Sequence, residues 1–178
     1  MSADADGHFM YFAFGSNLLK ERLQLANPTA VFCTTGRLKD YKLNFGLWEE
    51  HVDNVWHGGV ATIEFCPGAE VWGVIWTLSN KNLTSLDNQE GVRQGKYSPL
   101  EVTVETEKGL MLCRTYQMNN FCTCPPSPQY KQSPFRLWSY TKRSTVVIWD
   151  GMWCIHGLDR LDQHIPQMFS WVDIFVIT

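Results

Sequence analysis

Leu100, Val102 and Val104 alternate with polar residues, Lys108-Gly109 supplies a turn, and Leu110, Leu112 and the Thr115-Tyr116 region run back. Successive strand side chains point to opposite faces, so this pattern commits the segment to an antiparallel hairpin. Further strand-like runs precede it. Ala30 to Thr34 and Tyr41 to Phe45 alternate, the second with Tyr41, Leu43 and Phe45 on one face. Val60 to Phe65 and Val71 to Leu78 follow, and the turn-forming Cys66-Pro67-Gly68 between them predicts a second hairpin, with Trp72 and Trp76 on one face.

Helical patterns are short and few. Phe9 to Phe14 reads as a strand that meets Gly15-Ser16-Asn17 and then a helix over Leu18 to Leu25, stopped at Asn27-Pro28. Ser16 or Asn17 is the expected N-cap. Ser79 opens a second helix in which Leu83 and Leu86 share a face, and it ends near Glu90-Gly91, where glycine permits a left-handed backbone. Glu49 to Trp56 reads as an exposed loop, and the proline- and serine-rich Cys122 to Pro134 as another. Beyond it neither helical nor strand periodicity persists, although Trp138, Trp149, Trp153 and Trp171 lie there.

A chain of 178 residues is one domain's worth, with a net charge of −3 that offers no electrostatic grip on a phosphate backbone. Nucleic acid is therefore not an expected partner. Met1 to Gly7 lacks the basic start and apolar run of a signal peptide, and no stretch is apolar long enough to span a bilayer, so the expectation is an intracellular protein without a membrane partner. In that compartment Cys33, Cys66, Cys113, Cys122, Cys124 and Cys154 are expected as reduced thiols. Cys122-Thr-Cys124 lacks the spacing of a zinc knuckle, and nothing places His57 beside a thiol, so neither a metal site nor a cysteine nucleophile is expected.

Two segments can carry chemistry. In Phe14-Gly15-Ser16-Asn17 a glycine allows close approach to the backbone, and amides opening a helix suit a carboxylate or an oxyanion. Taken alone, the loop reads rather as an ordinary capped strand-turn-helix. In Gln89-Glu90-Gly91 a carboxylate in a partly apolar pocket would have its pKa lifted from about 4.3 toward neutrality, where it can exchange a proton with substrate. Taken alone, Glu90 reads rather as a solvated acid at a helix end.

Several blocks in order resolve the ambiguity. Tyr11-Phe12-Ala13-Phe14-Gly15-Ser16-Asn17-Leu18, Trp56-His57-Gly58-Gly59-Val60-Ala61-Thr62-Ile63, Glu70-Val71-Trp72-Gly73-Val74, Leu86-Asp87-Asn88-Gln89-Glu90-Gly91-Val92 and Pro125-Pro126-Ser127-Pro128-Gln129-Tyr130-Lys131 together closely resemble the γ-glutamylcyclotransferase family. The resemblance covers roughly residues 9–131. It implies an α/β (α+β) fold built round a small mixed, barrel-like sheet with flanking short helices, commonly a cytosolic homodimer. It implies no metal and no organic cofactor, and a small γ-glutamyl peptide substrate that is converted to 5-oxoproline and a free amino acid in glutathione turnover. On this resemblance Glu90 corresponds to the general acid/base. Tyr11, Phe12, Ala13, Phe14, Gly15 and Ser16 form the loop that holds the glutamyl group, and Tyr130 is a substrate-contacting tyrosine.

The chain departs from the family in two places. Phe14 stands where the family's loop usually has tyrosine, which removes a hydroxyl near the pocket and is expected to weaken activity. After Lys131 the family continues into a further strand and helices, whereas residues 132–178 here form an atypical tryptophan-rich tail that resembles an alternative C-terminal exon or read-through segment. The expectation is an isoform carrying the catalytic residues on an incomplete scaffold, with Trp138, Ile148, Trp149, Trp153 and Phe175 exposed. Two alternatives stay open: a cyclotransferase for γ-glutamyl-amines or glutathione, and a weakly active protein that binds ligand or pairs with a complete subunit.

Overall fold

The computed structural model describes residues 7–48 and 58–127, and the backbone of two strands at 144–149 and 152–157. Strand β1 (His8–Ala13) leads through a 3-10 turn (Ser16–Leu18) into helix α1 (Lys20–Ala26). Two long strands follow, β2 (Val31–Trp48) and β3 (Val60–Ser79). A 3-10 turn (Asn80–Asn82) and helix α2 (Leu83–Gln89) lead to β4 (Tyr97–Thr106), β5 (Gly109–Met118) and the short β6 (Phe121–Thr123).

Because β3 pairs with β1 along one edge and with β2 along the other, the order β3-β1-β5-β4-β2 returns to β3 and closes a five-stranded barrel. Among the described strands only β1 and β5 pair in parallel, and β6 extends β2 at its far end. Closure demands strongly coiled strands, and bulges supply the bend. β2 has two such irregularities, one between Phe32 and Thr34 and one at Asp40, whose φ is 62°.

The expected hairpin at Cys66-Pro67-Gly68 is not one. Phe65 pairs with Tyr41 and Glu70 with Lys39, so residues 66–69 stand opposite Asp40 alone and the strand continues in the same direction. The Gly68 amide donates to Asp40 Oδ1 at 2.9 Å, and Gly68 takes the positive φ (81°) that its lack of a Cβ allows. Turn chemistry is present, but the shared partner β2 turns it into a bulge. The two runs expected in β2 likewise join into one strand.

Small residues let the barrel corner close. Gly36 and Gly73 are register partners, and a Cβ on Gly73 would overlap the Ala13 carbonyl and lie 2.7 Å from the Phe12 ring. Phe12, Ile63, Ile75 and Val104 are fully buried in the core. Gly73→Ala is expected to lower stability by about 1 to 3 kcal/mol, read as a reduced urea midpoint at unchanged slope. An unchanged midpoint would show that β1 can shift away freely.

The helices cover one side of the barrel through Leu18, Leu23 and Leu86, all fully or nearly fully buried. Ser79 caps the 3-10 turn before α2, its hydroxyl accepting from the Lys81 amide, and Gly91 holds the expected left-handed conformation with φ 67° after Glu90. The expected N-cap role of Ser16 or Asn17 is not taken. The 3-10 turn intervenes, Leu19 occupies the cap of α1 without a side-chain bond, and the Asn17 side chain is used elsewhere.

Part of the expected loop after Cys122 is strand β6, because the edge of β2 is there to pair with it. In the tail, β7 (Ser144–Trp149) and β8 (Met152–Gly157) form an antiparallel pair, where no periodic structure was expected. Asp150-Gly151 between two apolar runs is the hairpin signal that the helical and strand periodicities do not register. The Glu49 to Trp56 loop, Tyr130 and the tail's aromatic side chains lie outside the described residues. Among the described residues no helix is long and apolar enough to cross a membrane.

Candidate active site

The end of β1, the turn after it and the end of α2 converge on a cavity of about 140 Å³. Its lining includes Tyr11, Phe14, Gly15, Ser16, Asn17 and Glu90, with Trp48, Tyr97 and Tyr116 from the barrel rim. Glu90 arrives there because it caps α2 in helical conformation, immediately before the left-handed Gly91 turns the chain away. Gly15 arrives because β1 stops at Ala13 and the chain folds at once into the Ser16–Leu18 turn.

Asn17 organises the site. Its Nδ2 donates to Glu90 Oε1 at 2.8 Å and to the Tyr11 hydroxyl at 3.0 Å, while its Oδ1 accepts from Gln89 Nε2 at 2.9 Å. The Tyr11 hydroxyl in turn faces Glu90 Oε1 at 3.4 Å, and Asn27 Nδ2 donates to Gln89 Oε1 at 2.8 Å. The backbone of Asn17 is anchored as well, its carbonyl accepting from Trp76 Nε1 at 3.1 Å. This network ties the C-terminal turn of α2 to the loop after β1.

The carboxyl group of Glu90 is enclosed, although the residue keeps some exposure through the open cavity. Burial lifts its pKa from 4.5 to about 7, opposed by the Tyr11 hydrogen bond, the charge of Arg22 and the Asn17 hydrogen bond, and reinforced by the charge of Asp87. Burial and the neighbouring Glu90 charge raise the Tyr11 phenol well above its usual value, so it stays protonated and donates. A carboxyl poised near neutrality in a cleft, with fixed donors on one oxygen, is suited to take up and return a proton.

Two other walls complete the cavity. Trp48 packs edge-on to Tyr97 at 5.5 Å and donates from Nε1 to the Lys96 carbonyl at 2.6 Å, while the Tyr97 hydroxyl donates to the Ala61 carbonyl at 2.7 Å. Tyr116 meets Tyr11 edge-on at 6.0 Å. Phe14 lines the cavity with an aromatic face and no hydroxyl, its ring 6.4 Å from that of Phe12.

Of the residues expected from sequence, Tyr11, Phe14, Gly15, Ser16 and Glu90 meet at this cavity. Phe12 and Ala13 do not line it: both are buried in the core, Phe12 on the strand face opposite Tyr11 and Ala13 with its carbonyl against Gly73. Tyr130 lies outside the described residues. Sequence reasoning placed Asn17 in the candidate loop but gave its side chain only a capping role, and it passed over Arg22, Trp48, Tyr97 and Tyr116 as site residues. The signal for Asn17 was its place directly after Gly15-Ser16 with no glutamate or glutamine three residues on, which weakens a capping role. Among the described residues no group of histidine, cysteine and acidic side chains could hold a metal ion.

Asn17→Leu is expected to leave Glu90 and Tyr11 without their shared donor and to lower stability by about 1 to 3 kcal/mol. Urea denaturation of the variant checks this, and an unchanged midpoint would mean that water replaces the amide at no cost.

Residues 70–134 match the AIG2-like family. The chain is 50% identical to mouse γ-glutamylcyclotransferase over 139 residues, covering 74% of each protein. It is 56% identical to the bovine γ-glutamylcyclotransferase over 125 residues, 70% of this chain and 66% of the bovine one. A solved γ-glutamyl cyclotransferase structure superposes with a TM-score of 0.68 at 51% identity, over 71% of this chain and 75% of that one. The matched part of the chain thus spans about two thirds to three quarters of these relatives.

Proposed function

The chain belongs to the γ-glutamylcyclotransferase family, and on that premise we propose that it converts a γ-glutamyl-L-amino acid into 5-oxoproline and the free amino acid. The observation that carries this reading is the Glu90 carboxyl, held by Asn17 and Tyr11 at a cavity that the Gly15-Ser16 loop also lines.

The chemistry asks little of the protein beyond shape and one proton carrier. The substrate's α-nitrogen attacks its own γ-carbonyl carbon, a new C–N bond closes the five-membered ring, and the old amide C–N bond breaks. Glu90 accepts the proton shed by the attacking nitrogen and delivers a proton to the departing amine, so atoms and charge balance without an oxidant or water. Holding the folded conformer supplies much of the acceleration, since well-oriented intramolecular reactions reach effective molarities of about 10⁵ to 10⁸ M. The first amides of the Ser16–Leu18 turn have no carbonyl behind them in the helical ladder, and they are the proposed partners of the α-carboxylate or the developing oxyanion. Tyr130 is the proposed further contact, on family resemblance alone. A cytosolic homodimer is proposed on the same support.

The test is 5-oxoproline release from γ-glutamyl-alanine by the purified chain, with glutathione and a γ-glutamyl-amine run beside it. Release from the dipeptide above the other two supports the reading. Preference for glutathione or the amine would reassign the leaving group, and no release from any of them would overturn the reading in favour of a partner-dependent or ligand-binding role.

A further inference from the structure

A second polar cluster adjoins the Glu90 network. Arg114 on β5 donates from Nη2 to Asp87 Oδ1 at 2.7 Å and from Nε to the Tyr116 hydroxyl at 3.0 Å. The Tyr116 hydroxyl donates to the same Asp87 oxygen at 2.5 Å, and the guanidinium lies over the Tyr116 ring at 5.3 Å. Each of the three groups therefore touches the other two. The Arg114 and Asp87 side chains are only 23% and 26% exposed, so this is an enclosed pair and not a solvated surface bridge.

One member of the cluster lines the cavity and another neighbours Glu90 along the helix. Tyr116 lines the cavity, with its ring edge-on to that of Tyr11. Asp87 stands three residues before Glu90, a spacing that puts two acids on one side of the helical turn. A bare carboxylate there would repel the ionised form of Glu90. The fork geometry of a guanidinium can hold a carboxylate and a phenol oxygen at once, which a lysine ammonium on a flexible stem does less well.

We propose that Arg114 is a positioning residue, which screens Asp87 from Glu90 and locks the Tyr116 ring against Tyr11. It acts through Asp87 and Tyr116, without contact to substrate. The inference rests on Glu90 as the acid/base of the proposed reaction, and it deepens that reading by naming what sets the working state of Glu90. The charged and titratable groups that face Glu90 are Tyr11 from β1, Arg22 from α1, Asp87 from α2 itself, Tyr97 from β4, and Tyr116 with Arg114 behind it from β5. Of these, Arg114 and Asp87 are the pair whose separate removal has opposite consequences.

The experiment follows the carboxyl carbon of Glu90 by NMR across pH in the full chain without substrate, for wild type, Asp87→Asn, Arg114→Gln, Arg114→Lys and Arg114→Gln/Asp87→Asn. The same proteins are assayed for the pH dependence of kcat/KM. Arg114→Gln is expected to move the Glu90 midpoint up by about one pH unit, and Asp87→Asn to move it down by a smaller amount. The double variant should titrate between the two single variants, because the potentials of Arg114 and Asp87 at Glu90 add. Arg114→Lys should keep the midpoint but lower kcat several-fold, as the charge survives and the fork does not. Coincident midpoints in all five proteins, or a double variant that titrates with Arg114→Gln, would overturn the proposal. If Arg114→Gln does not fold, the downward shift of Asp87→Asn and the lowered kcat of Arg114→Lys at an unchanged midpoint decide. Because the titration needs no turnover, a wild type that titrates in this order yet releases no 5-oxoproline would defeat the reaction and leave the positioning role standing.

Discussion

Glu90→Gln is expected to lower kcat for 5-oxoproline release by about 10²- to 10⁴-fold, the range for removing a positioned general acid/base. Glutamine keeps the shape of the side chain and can still accept from Asn17 Nδ2 and Tyr11, so the cavity and the fold should survive. KM should change little, because the proton transfer belongs to the transition state and not to substrate binding. Residual turnover above the uncatalysed rate is expected from the folded conformer alone, held by the loop that contains Gly15 and Ser16. Steady-state kinetics on γ-glutamyl-alanine, with circular dichroism to check the fold, reads both parameters. A correctly folded variant with near-normal kcat would remove Glu90 from the mechanism.

The same residue should set a stability change with pH. A carboxyl whose pKa rises from 4.5 in the unfolded chain to about 7 in the folded one binds its proton more tightly when folded. Its contribution is therefore fully present below about pH 4.5 and is lost as pH rises through about 7. At 1.36 kcal/mol per pH unit this amounts to about 3 kcal/mol at most, and solvent reaching the carboxyl through the cavity mouth reduces it. Glu64 and Glu105 act in the opposite direction: the Lys42 and Lys39 ammonium groups, respectively, lower their pKa values at the surface, and their stabilisation is lost as pH falls through those lowered values. Subtracting Glu90→Gln from wild type cancels them. Urea denaturation between pH 4 and 8.5 is expected to show the variant gaining on wild type as pH rises, and to be the more stable protein at pH 8. A constant difference across that range would mean that Glu90 titrates as an ordinary acid. A residue whose removal sharply lowers activity yet stabilises the fold above neutral pH is held in place for chemistry and not for structure.

Much of the local structure was legible in the residues. The β4–β5 hairpin follows from alternation around Lys108-Gly109, and the end of α2 follows from a glycine able to take φ 67° directly after Glu90. Period-two and helical patterns are short-range properties, so a sequence displays them directly. The blocks around Gly15-Ser16 and Glu90 were also legible as segments that share one family.

Other features needed the third dimension. Cys66-Pro67-Gly68 has the chemistry of a turn, and only the pairing of β2 with both flanking segments makes it a bulge in one strand. Asn17 has the chemistry of a cap, and only the arrival of α2 beside it directs its amide to Glu90 at 2.8 Å. Tyr116 and Arg114 lie on a strand far from Asp87 in the chain and join it only once the barrel is closed.

By itself, then, the sequence determined most strand segments of the barrel, the two short helices, the family and the carboxylate at its helix end, because propensity, periodicity and motif are written in neighbouring residues. The tertiary structure alone decided that the barrel closes, which polar groups meet at Glu90, and that its proton is held near neutral pH. Those depend on burial and on contacts between residues up to 103 positions apart, which no local pattern encodes.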